Sequence, residues 1–286
     1  MNQLTVLGTG NALTTHCYNT CFALKEGDEY FLTDAGGGNG ILAALEKSGI
    51  APEQIHHIFA THAHTDHILG LIWIIRIIAT KINKGTYPDS LTIYCHKELE
   101  DTIKTIAGLT LAKKFTRHFD GRIRFCTLED GKSLSILGQT FTFFDIRSTK
   151  EKQFGFLLHT REGKRIVFPG DEPCFFPAPV SASGLPAPKE AILPYLSGAD
   201  WLLHEAFCLY EERDVFQPYE KHHSTVKDVC EMAERLCIPN LVLWHTEEKN
   251  LARRRELYTL EGKQFYTGNL IVPEDGDVIS FTSGSR

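Results

Sequence analysis

The sequence has no CxxC pair, no long uninterrupted apolar run and no excess of basic residues. Its eight cysteines are scattered, with Cys17 and Cys21 the closest pair, so we expect reduced thiols and no thiolate zinc site. The most apolar stretch, from Ile68 to Thr80, contains Arg76 and is shorter than the roughly 20 residues of a membrane-spanning helix. No basic segment followed by an apolar run opens the sequence, so we expect a cytoplasmic protein with no membrane partner.

The charge and composition of the chain exclude several further classes of protein. The 286 residues include 30 basic and 36 acidic side chains, and the net charge of −6 disfavours a general nucleic-acid coat but not a locally basic groove. The hydrophobic share of 42% and the charged share of 23% are those of a globular chain, which excludes disordered and collagen-like sequences. No linker-like composition and no fixed repeat divides the chain, so we predict a single domain over residues 1–286.

Short runs typical of strands alternate with segments of helical periodicity along the chain. Two such blocks, each mixing strands with helices at the outside, predict an α/β fold arranged as a four-layer αββα sandwich. The one proline-rich stretch, 173–188, is predicted to be a surface loop, with a role as a lid left open. Strands are expected at 4–8, 21–25, 30–33, 56–60, 91–94, 123–127, 133–137, 139–146, 154–159, 165–168, 201–204 and 241–245, and helices at 38–48, 68–82, 97–108 and 226–236.

One cluster of potential metal ligands follows the predicted strand at 56–60 directly. It contains His62, His64, Asp66 and His67 within six residues. His62 and His64 alternate, so an extended backbone points both side chains the same way, whereas Asp66 and His67 lie on the turn into the next helix. Imidazole and carboxylate together are the ligands expected for zinc, with iron or manganese as alternatives.

The HxHxDH pattern after a strand resembles the signature of the metallo-β-lactamase fold family, whose members are mostly dinuclear metal hydrolases. Within that family the chain is most similar to the ribonuclease Z group, which cuts the 3′ trailer from precursor tRNA. Further similarities follow the group's motifs in the same order along nearly the whole chain. They are LGTGNA at 7–12, YFLTDAG at 30–36, FPGD at 168–171, HEAF at 204–207, HST at 223–225, LWHT at 243–246 and PEDGD at 273–277.

The resemblance implies a role for each of these positions. Its implied metal ligands are His62, His64 and Asp171 for one ion and Asp66, His67, Asp171 and His245 for the other. Asp66 would also orient the attacking water, and His223 would be the general acid, held and charged by Glu205. Asp34 would support the ligands from behind. The resemblance further implies Zn²⁺, as one or two ions with Mn²⁺ or Fe²⁺ as alternatives, and a homodimer.

Structural roles stay open at three of these positions. His223 could simply belong to the capping region of the predicted helix at 226–236, with Ser224 or Thr225 as its N-cap. Glu205 could form a structural ion pair. His204 is expected to point to the opposite face of its strand from Glu205.

The chain departs from the group in two places. The group supplies one more histidine to the first metal, but residues 143–156 contain none, and Arg147 stands roughly at its place. A guanidinium has no lone pair to offer a metal, so we expect Arg147 to bind a substrate phosphate and keep single-metal operation open. Only about fourteen residues separate Gly155 from Gly170, which leaves room for a hairpin but not for the long basic arm that grips tRNA in many members.

Three functions follow from these observations. The first is a metal-dependent phosphodiester hydrolase, acting on a small or cyclic substrate rather than tRNA, with RNA kept as an alternative. The second is a metal-dependent ester, thioester or lactam hydrolase on the same fold, and the third is a binding protein with impaired catalysis. The motifs at Glu205 and His223 serve phosphate leaving groups and favour the first.

Overall fold

The computed structural model describes residues 1–176 and 187–281. Its contacts divide the chain into two compact units. Unit 1 comprises residues 1–12, 17–129 and the described part of 275–286, and unit 2 comprises 13–16 and 130–274. The single domain over 1–286 stays a prediction, and most of the predicted loop at 173–188 lies outside the described residues.

The elements are numbered in chain order. The strands are β1 (Gln3–Gly8), β2 (Cys21–Glu26), β3 (Glu29–Thr33), β4 (Ile55–Phe59), β5 (Leu91–Cys95), β6 (Ile123–Thr127), β7 (Lys132–Ile136), β8 (Gln139–Asp145), β9 (Phe154–His159), β10 (Arg165–Phe168), β11 (Phe175–Phe176), β12 (Ala187–Pro188), β13 (Trp201–Glu205), β14 (Asn240–Trp244), β15 (Asn269–Ile271) and β16 (Val278–Ser280). The helices are α1 (Gly40–Lys47), α2 (Thr65–Lys84), α3 (Lys97–Thr110), α4 (Lys113–Thr116), α5 (Leu193–Leu196), α6 (Arg213–Phe216), α7 (Val226–Arg235) and α8 (Arg254–Gly262).

Unit 1 contains a seven-stranded sheet in the order β16-β1-β2-β3-β4-β5-β6. Its first strands form antiparallel hairpins, whereas β3, β4, β5 and β6 run parallel, with helices in the connections. The apolar face of α2 packs in the core of this unit through Ile68, Leu71 and Ile75. The helix ends at Gly85, whose φ of 73° is the left-handed conformation common after helices. Because β4 pairs parallel with both β3 and β5, the loop between β4 and α2 starts at the carboxyl end of a parallel strand inside the sheet.

Unit 2 contains a second seven-stranded sheet, in the order β15-β14-β13-β10-β9-β8-β7. Strands β7 to β10 pair antiparallel, and β10, β13, β14 and β15 pair parallel. A tight turn at Leu137 and Gly138, both with positive φ, joins β7 to β8. Because parallel strands end at the same edge of a sheet, the residues after β10, β13 and β14 come together there.

The prediction of strand and helix alternation is confirmed for these sheets, with two differences. Strands β15 and β16 were not predicted, because each has only three residues and shows no alternation of its own. Helix α2 begins at Thr65 rather than Ile68, which places Asp66 and His67 in its first turn. Among the residues that the structure describes, no helix combines the length and apolar character of a membrane span.

Candidate active site

The predicted ligand cluster of unit 1 lies between β4 and the first turn of α2. His64 is the N-cap residue of α2, with extended backbone at φ −64° and ψ 149°. Asp66 follows in the first turn, where the positive end of the helix dipole favours a carboxylate. Asp66, His67 and His62 are all buried, so their nitrogen and oxygen atoms are largely screened from bulk water.

Asp34, in the turn after β3, orients this cluster through one carboxylate. Its Oδ1 accepts the backbone N–H of Thr61 at 2.9 Å, and its Oδ2 accepts the Thr61 hydroxyl at 2.8 Å. The same Oδ2 lies 2.8 Å from Nδ1 of His67. When Nδ1–H donates to the carboxylate, the lone pair of the imidazole is on Nε2, as is usual for a histidine that binds metal.

The contact between Asp34 and His67 requires α2 to lie close to the turn that contains Asp34. The backbone N–H of Gly70 donates to the carbonyl of Gly36 at 2.8 Å, and the N–H of Ala35 donates to the carbonyl of His67 at 3.0 Å. A Cβ at position 70 would lie 1.8 Å from the carbonyl oxygen of Ala35. Glycine at this position therefore allows the helix to reach the turn, and the helix brings His67 to Asp34.

The two remaining histidines of the motif also meet. The Thr61 hydroxyl lies 2.8 Å from Nδ1 of His62, and Nε2 of His62 lies 2.8 Å from Nδ1 of His64. Because the Thr61 hydroxyl donates to Asp34, its oxygen accepts from Nδ1–H of His62, which puts the lone pair of His62 on Nε2. The ring centroids of His62 and His67 are 4.2 Å apart. The structure thus brings together all four residues that the sequence singled out in unit 1.

Unit 2 assembles its predicted site residues at the common edge of three parallel strands. Asp171 follows β10, Glu205 ends β13 and His245 follows β14. The carboxylate Oδ2 of Asp171 lies 3.6 Å from Nε2 of His245, and both residues are buried.

Both units offer donor pairs that suit a divalent metal. In unit 1, Nε2 of His67 is 3.4 Å from Oδ2 of Asp66. Two ligands at about 2.1 Å from a tetrahedral zinc ion lie about 3.4 Å apart, which is close to this spacing and to that of Asp171 and His245 in unit 2. Buried imidazole and carboxylate donors at such distances fit a zinc-type ion.

The side chains of Glu205, which is buried, and His223, which is largely buried, lie close together in unit 2. Nδ1 of His223 lies 3.5 Å from Oε2 of Glu205. The other carboxylate oxygen of Glu205 accepts the N–H of Ser224 at 2.8 Å and also the Ser224 hydroxyl. Burial raises the pKa of Glu205 to about 8 and lowers the pKa of His223 to about 4. Near neutral pH these shifts leave the titrating proton of the pair on Glu205 and the imidazole of His223 neutral.

The three residues of the HST motif at 223–225 make different contacts. Thr225 is the N-cap of α7, since its hydroxyl accepts the N–H of Asp228 at 3.3 Å and Asp228 returns the bond to complete a capping box. Ser224 holds Glu205, so the capping role does not involve His223. The His223 ring stacks on Phe207 with centroids 5.0 Å apart and planes 8° from parallel, and it lies 5.3 Å from the ring of His245.

His204 has a structural role. It is completely buried, its Nε2 accepts the N–H of Cys174 at 3.2 Å, and its Nδ1 donates to the carbonyl of Glu205 at 2.7 Å. Both ring nitrogens are thus used in backbone hydrogen bonds, and burial lowers the pKa of the imidazole.

Arg147 and Gln153 lie on the connection that lacks the family's histidine. The Arg147 guanidinium forms ion pairs with Asp130 and, at 3.5 Å, with Asp145, so its substrate-binding role stays a prediction. Gln153 was not predicted, although its Nε2 donates to Oδ1 of Asp171 and its Oε1 accepts the Asp171 N–H at 3.2 Å. A lone glutamine before a strand carries no sequence signal for such a contact.

The chain is similar in sequence to several known proteins. The model of the family described as Anti-Pycsar protein Apyc1 matches residues 2–183. Ribonuclease Z of Thermococcus sibiricus is 27% identical over 98% of this chain and 96% of its own length. Ribonuclease Z of Methanothermobacter thermautotrophicus is 29% identical over 86% of each chain.

Solved structures extend the similarity in fold. The metallo-β-lactamase fold protein YhfI from Bacillus subtilis has a TM-score of 0.74 at 17% identity, covering 97% of this chain and 98% of its own. The short form of human tRNase Z has a TM-score of 0.68 at 21% identity, covering 98% of this chain and 100% of its own. The predicted fold is confirmed, as is the prediction of a metal-dependent hydrolase related to ribonuclease Z, whereas the individual site roles stay predictions.

Proposed function

The chain belongs to the Anti-Pycsar protein Apyc1 family, and from this premise we propose that it hydrolyses a small or cyclic phosphodiester with a divalent metal. The observation that carries the proposal is the close approach of Glu205 and His223, in the unit that also contains Asp171 and His245. A phosphodiester leaves an alkoxide that must be protonated, and this pair holds a proton for that purpose.

In this proposal each unit offers metal ligands of its own. They are His62, His64, Asp66 and His67 from unit 1 and Asp171 and His245 from unit 2. A bound divalent ion supplies an acidified water and neutralises charge on a phosphoryl oxygen. Asp66 has a second role, which is to orient that water and accept its proton. Asp34 keeps His67 in the tautomer that can bind metal.

His223 passes a proton to the leaving oxygen, and Glu205 positions the ring and supplies its own proton to the other ring nitrogen. Burial alone disfavours the charged imidazole, since it lowers the pKa of His223 to about 4. The single proton of the pair nevertheless stays beside the ring, because burial also raises the pKa of Glu205 to about 8. Stacking on Phe207 fixes the plane of the ring. The acid is therefore oriented before a substrate arrives.

The short β9–β10 hairpin and the charge of the chain favour a small substrate over tRNA. Only residues 160–164 connect the two strands, so no long arm is present there. The three arginines at 253–255 make ion pairs and hydrogen bonds to other residues of unit 2. Arg253 pairs with Glu256 at 2.7 Å, Arg254 is buried and donates to Thr246, and Arg255 donates to the carbonyl of Val272. A net charge of −6 adds no general attraction for RNA.

Several finer points belong to the same proposal. We take Zn²⁺ as the metal, in one or two ions, because histidine and aspartate predominate among the proposed ligands. A homodimer and a cytoplasmic location are proposed from the resemblance and from the sequence, respectively. RNA stays the alternative substrate, because the curated relatives named above are ribonuclease Z proteins.

The experiment compares three substrates with zinc-loaded and with chelator-treated protein, after metals per chain have been counted by elemental analysis. The substrates are a cyclic nucleotide, a precursor tRNA with a 3′ trailer, and a chromogenic thioester. We expect hydrolysis of the cyclic phosphodiester, lost on chelation and regained with zinc, at a much higher kcat/KM than for the thioester. Faster cleavage of tRNA would replace the small substrate by RNA, and turnover of the thioester alone would overturn the proposal.

A further inference from the structure

The connection between β8 and β9, residues 146–153, is fastened to the loops that carry the site residues of unit 2. The Ser148 hydroxyl donates to Oε1 of Glu172 at 2.7 Å, and the Thr149 hydroxyl lies 2.8 Å from Nδ1 of His222. Glu172 directly follows Asp171, and His222 directly precedes His223. The connection contains no histidine. Its side chains nevertheless contact Glu172 and His222, which are the sequence neighbours of the proposed site residues Asp171 and His223.

Gln153 forms the most direct of these contacts. Its side-chain amide makes two hydrogen bonds to Asp171, one from Nε2 to Oδ1 and one at 3.2 Å from the Asp171 N–H to Oε1. Only 1% of Gln153 is exposed. Gly170 makes room for the amide, because its φ is +99° and a Cβ there would lie 2.5 Å from Oε1.

The two oxygens of the Asp171 carboxylate consequently face different partners. Oδ1 accepts from the amide of Gln153, whereas Oδ2 lies 3.6 Å from Nε2 of His245. We propose that Gln153 is a positioning residue for the metal: it binds no ion itself but holds Asp171 so that Oδ2 and His245 are presented together as ligands. This inference rests on the proposed function only in requiring that Asp171 and His245 bind a divalent ion.

The alternative is that Gln153 merely fills a buried polar space. Gln139 provides the matched control, since it is also a buried glutamine of unit 2 and its Oε1 accepts the N–H of Arg161 at 2.7 Å. Methionine has nearly the volume of glutamine without its amide. Gln153→Met and Gln139→Met therefore remove the same group in comparable surroundings, and only the first touches a proposed ligand.

The experiment measures the Zn²⁺ dissociation constant of the full-length protein by competition with a chromophoric chelator, without any substrate. Loss of a partner that orients a ligand typically weakens metal affinity by about 10–100-fold, and we expect that loss for Gln153→Met. Gln139→Met should stay within about twofold of the wild type. With Co²⁺ in place of Zn²⁺, the visible absorption spectrum should change for Gln153→Met alone.

A second variant, Gln153→Glu, allows the inference to be tested even if Gln153→Met does not fold. Gln153→Glu keeps an oxygen to accept the Asp171 N–H but loses the amide donor to Oδ1, so it should also weaken zinc binding while the metal-free protein unfolds cooperatively. Wild-type affinity in both Gln153 variants, or an equal loss in Gln139→Met, would overturn the inference. A wild-type protein that binds zinc but cleaves no phosphodiester would overturn the proposed function and leave this inference standing.

Discussion

In unit 1 the proposed ligands come from a single run, residues 62–67, whereas in unit 2 they come from the ends of separate strands, at Asp171 and His245. One carboxylate, that of Asp34, fixes the first set through Thr61 and His67. The second set has a different support, because Asp171 is held by Gln153. Local sequence thus organises one set, and the order of strands in a sheet organises the other.

The difference also concerns the chemistry that each unit adds. Unit 1 has Asp66 among its ligands, a carboxylate proposed to act on the water, at the N-terminus of α2. Unit 2 has the Glu205–His223 pair, proposed to act on the leaving oxygen. A variant at Asp66 should therefore weaken metal binding as well as activity. A variant at His223 should keep the metal and lose activity mainly on substrates with a poor leaving group.

The largest effect is expected for Asp66→Ala. The change removes a proposed ligand and the group that orients the water, so we expect kcat for a phosphodiester to fall by at least about 10³-fold and zinc affinity to fall with it. Steady-state kinetics and metal titration measure the two losses. Glu98→Ala is the control, because Glu98 is also an acidic residue in the first turn of a helix of unit 1. Activity within tenfold of the wild type would remove Asp66 from the mechanism.

His223→Ala should lower activity while keeping metal. Removal of a general acid costs about 10²–10⁴-fold where the leaving group is a poor one, such as an alkoxide, and much less where it is p-nitrophenolate, which needs no proton. The measurement is the ratio of kcat for these two classes of phosphodiester, with metal content checked by elemental analysis. His222→Ala, at the exposed neighbouring histidine, should match the wild type in both. Equal losses on both leaving groups would contradict the acid role.

Much of unit 1 could be predicted from the sequence because its signals are local. The spacing of His62, His64, Asp66 and His67 identifies a ligand loop without knowledge of any contact, and the resemblance adds Asp34. The strands that precede and follow this loop were predicted by their apolar runs. The first turn of α2 was not, because the polar residues at its start break the apolar pattern from which the helix was predicted.

Unit 2 was less predictable because its contacts depend on topology. The resemblance indicates Asp171, Glu205 and His245, but the pairing of β10, β13 and β14 shows why they meet. Nothing in the sequence connects Gln153 to Asp171, eighteen positions further on. The ion pairs of Arg147 with Asp130 and Asp145 likewise depend on how β8 pairs with its neighbours.

The smallest expected effect concerns the pH dependence of stability, and it tests the Glu205–His223 pair. Burial raises the pKa of Glu205 from 4.5 to about 8, so the folded state holds a proton that the unfolded state has lost over this range. The contribution of Glu205 to stability is therefore lost as the pH rises through this range. His223, with its pKa lowered from 6.5 to about 4, has the opposite effect, mainly below pH 6.5.

Between pH 6.5 and 8 the effect of Glu205 outweighs that of His223, and the free energy of unfolding of the metal-free protein should fall by about 1 kcal/mol. In Glu205→Gln this decline should disappear, because the amide does not titrate. Urea unfolding at the two pH values measures the difference, with the exposed Glu256→Gln as a control that keeps the wild-type decline. The same decline in Glu205→Gln as in the wild type would mean that another group titrates in this range and that Glu205 does not hold the proton.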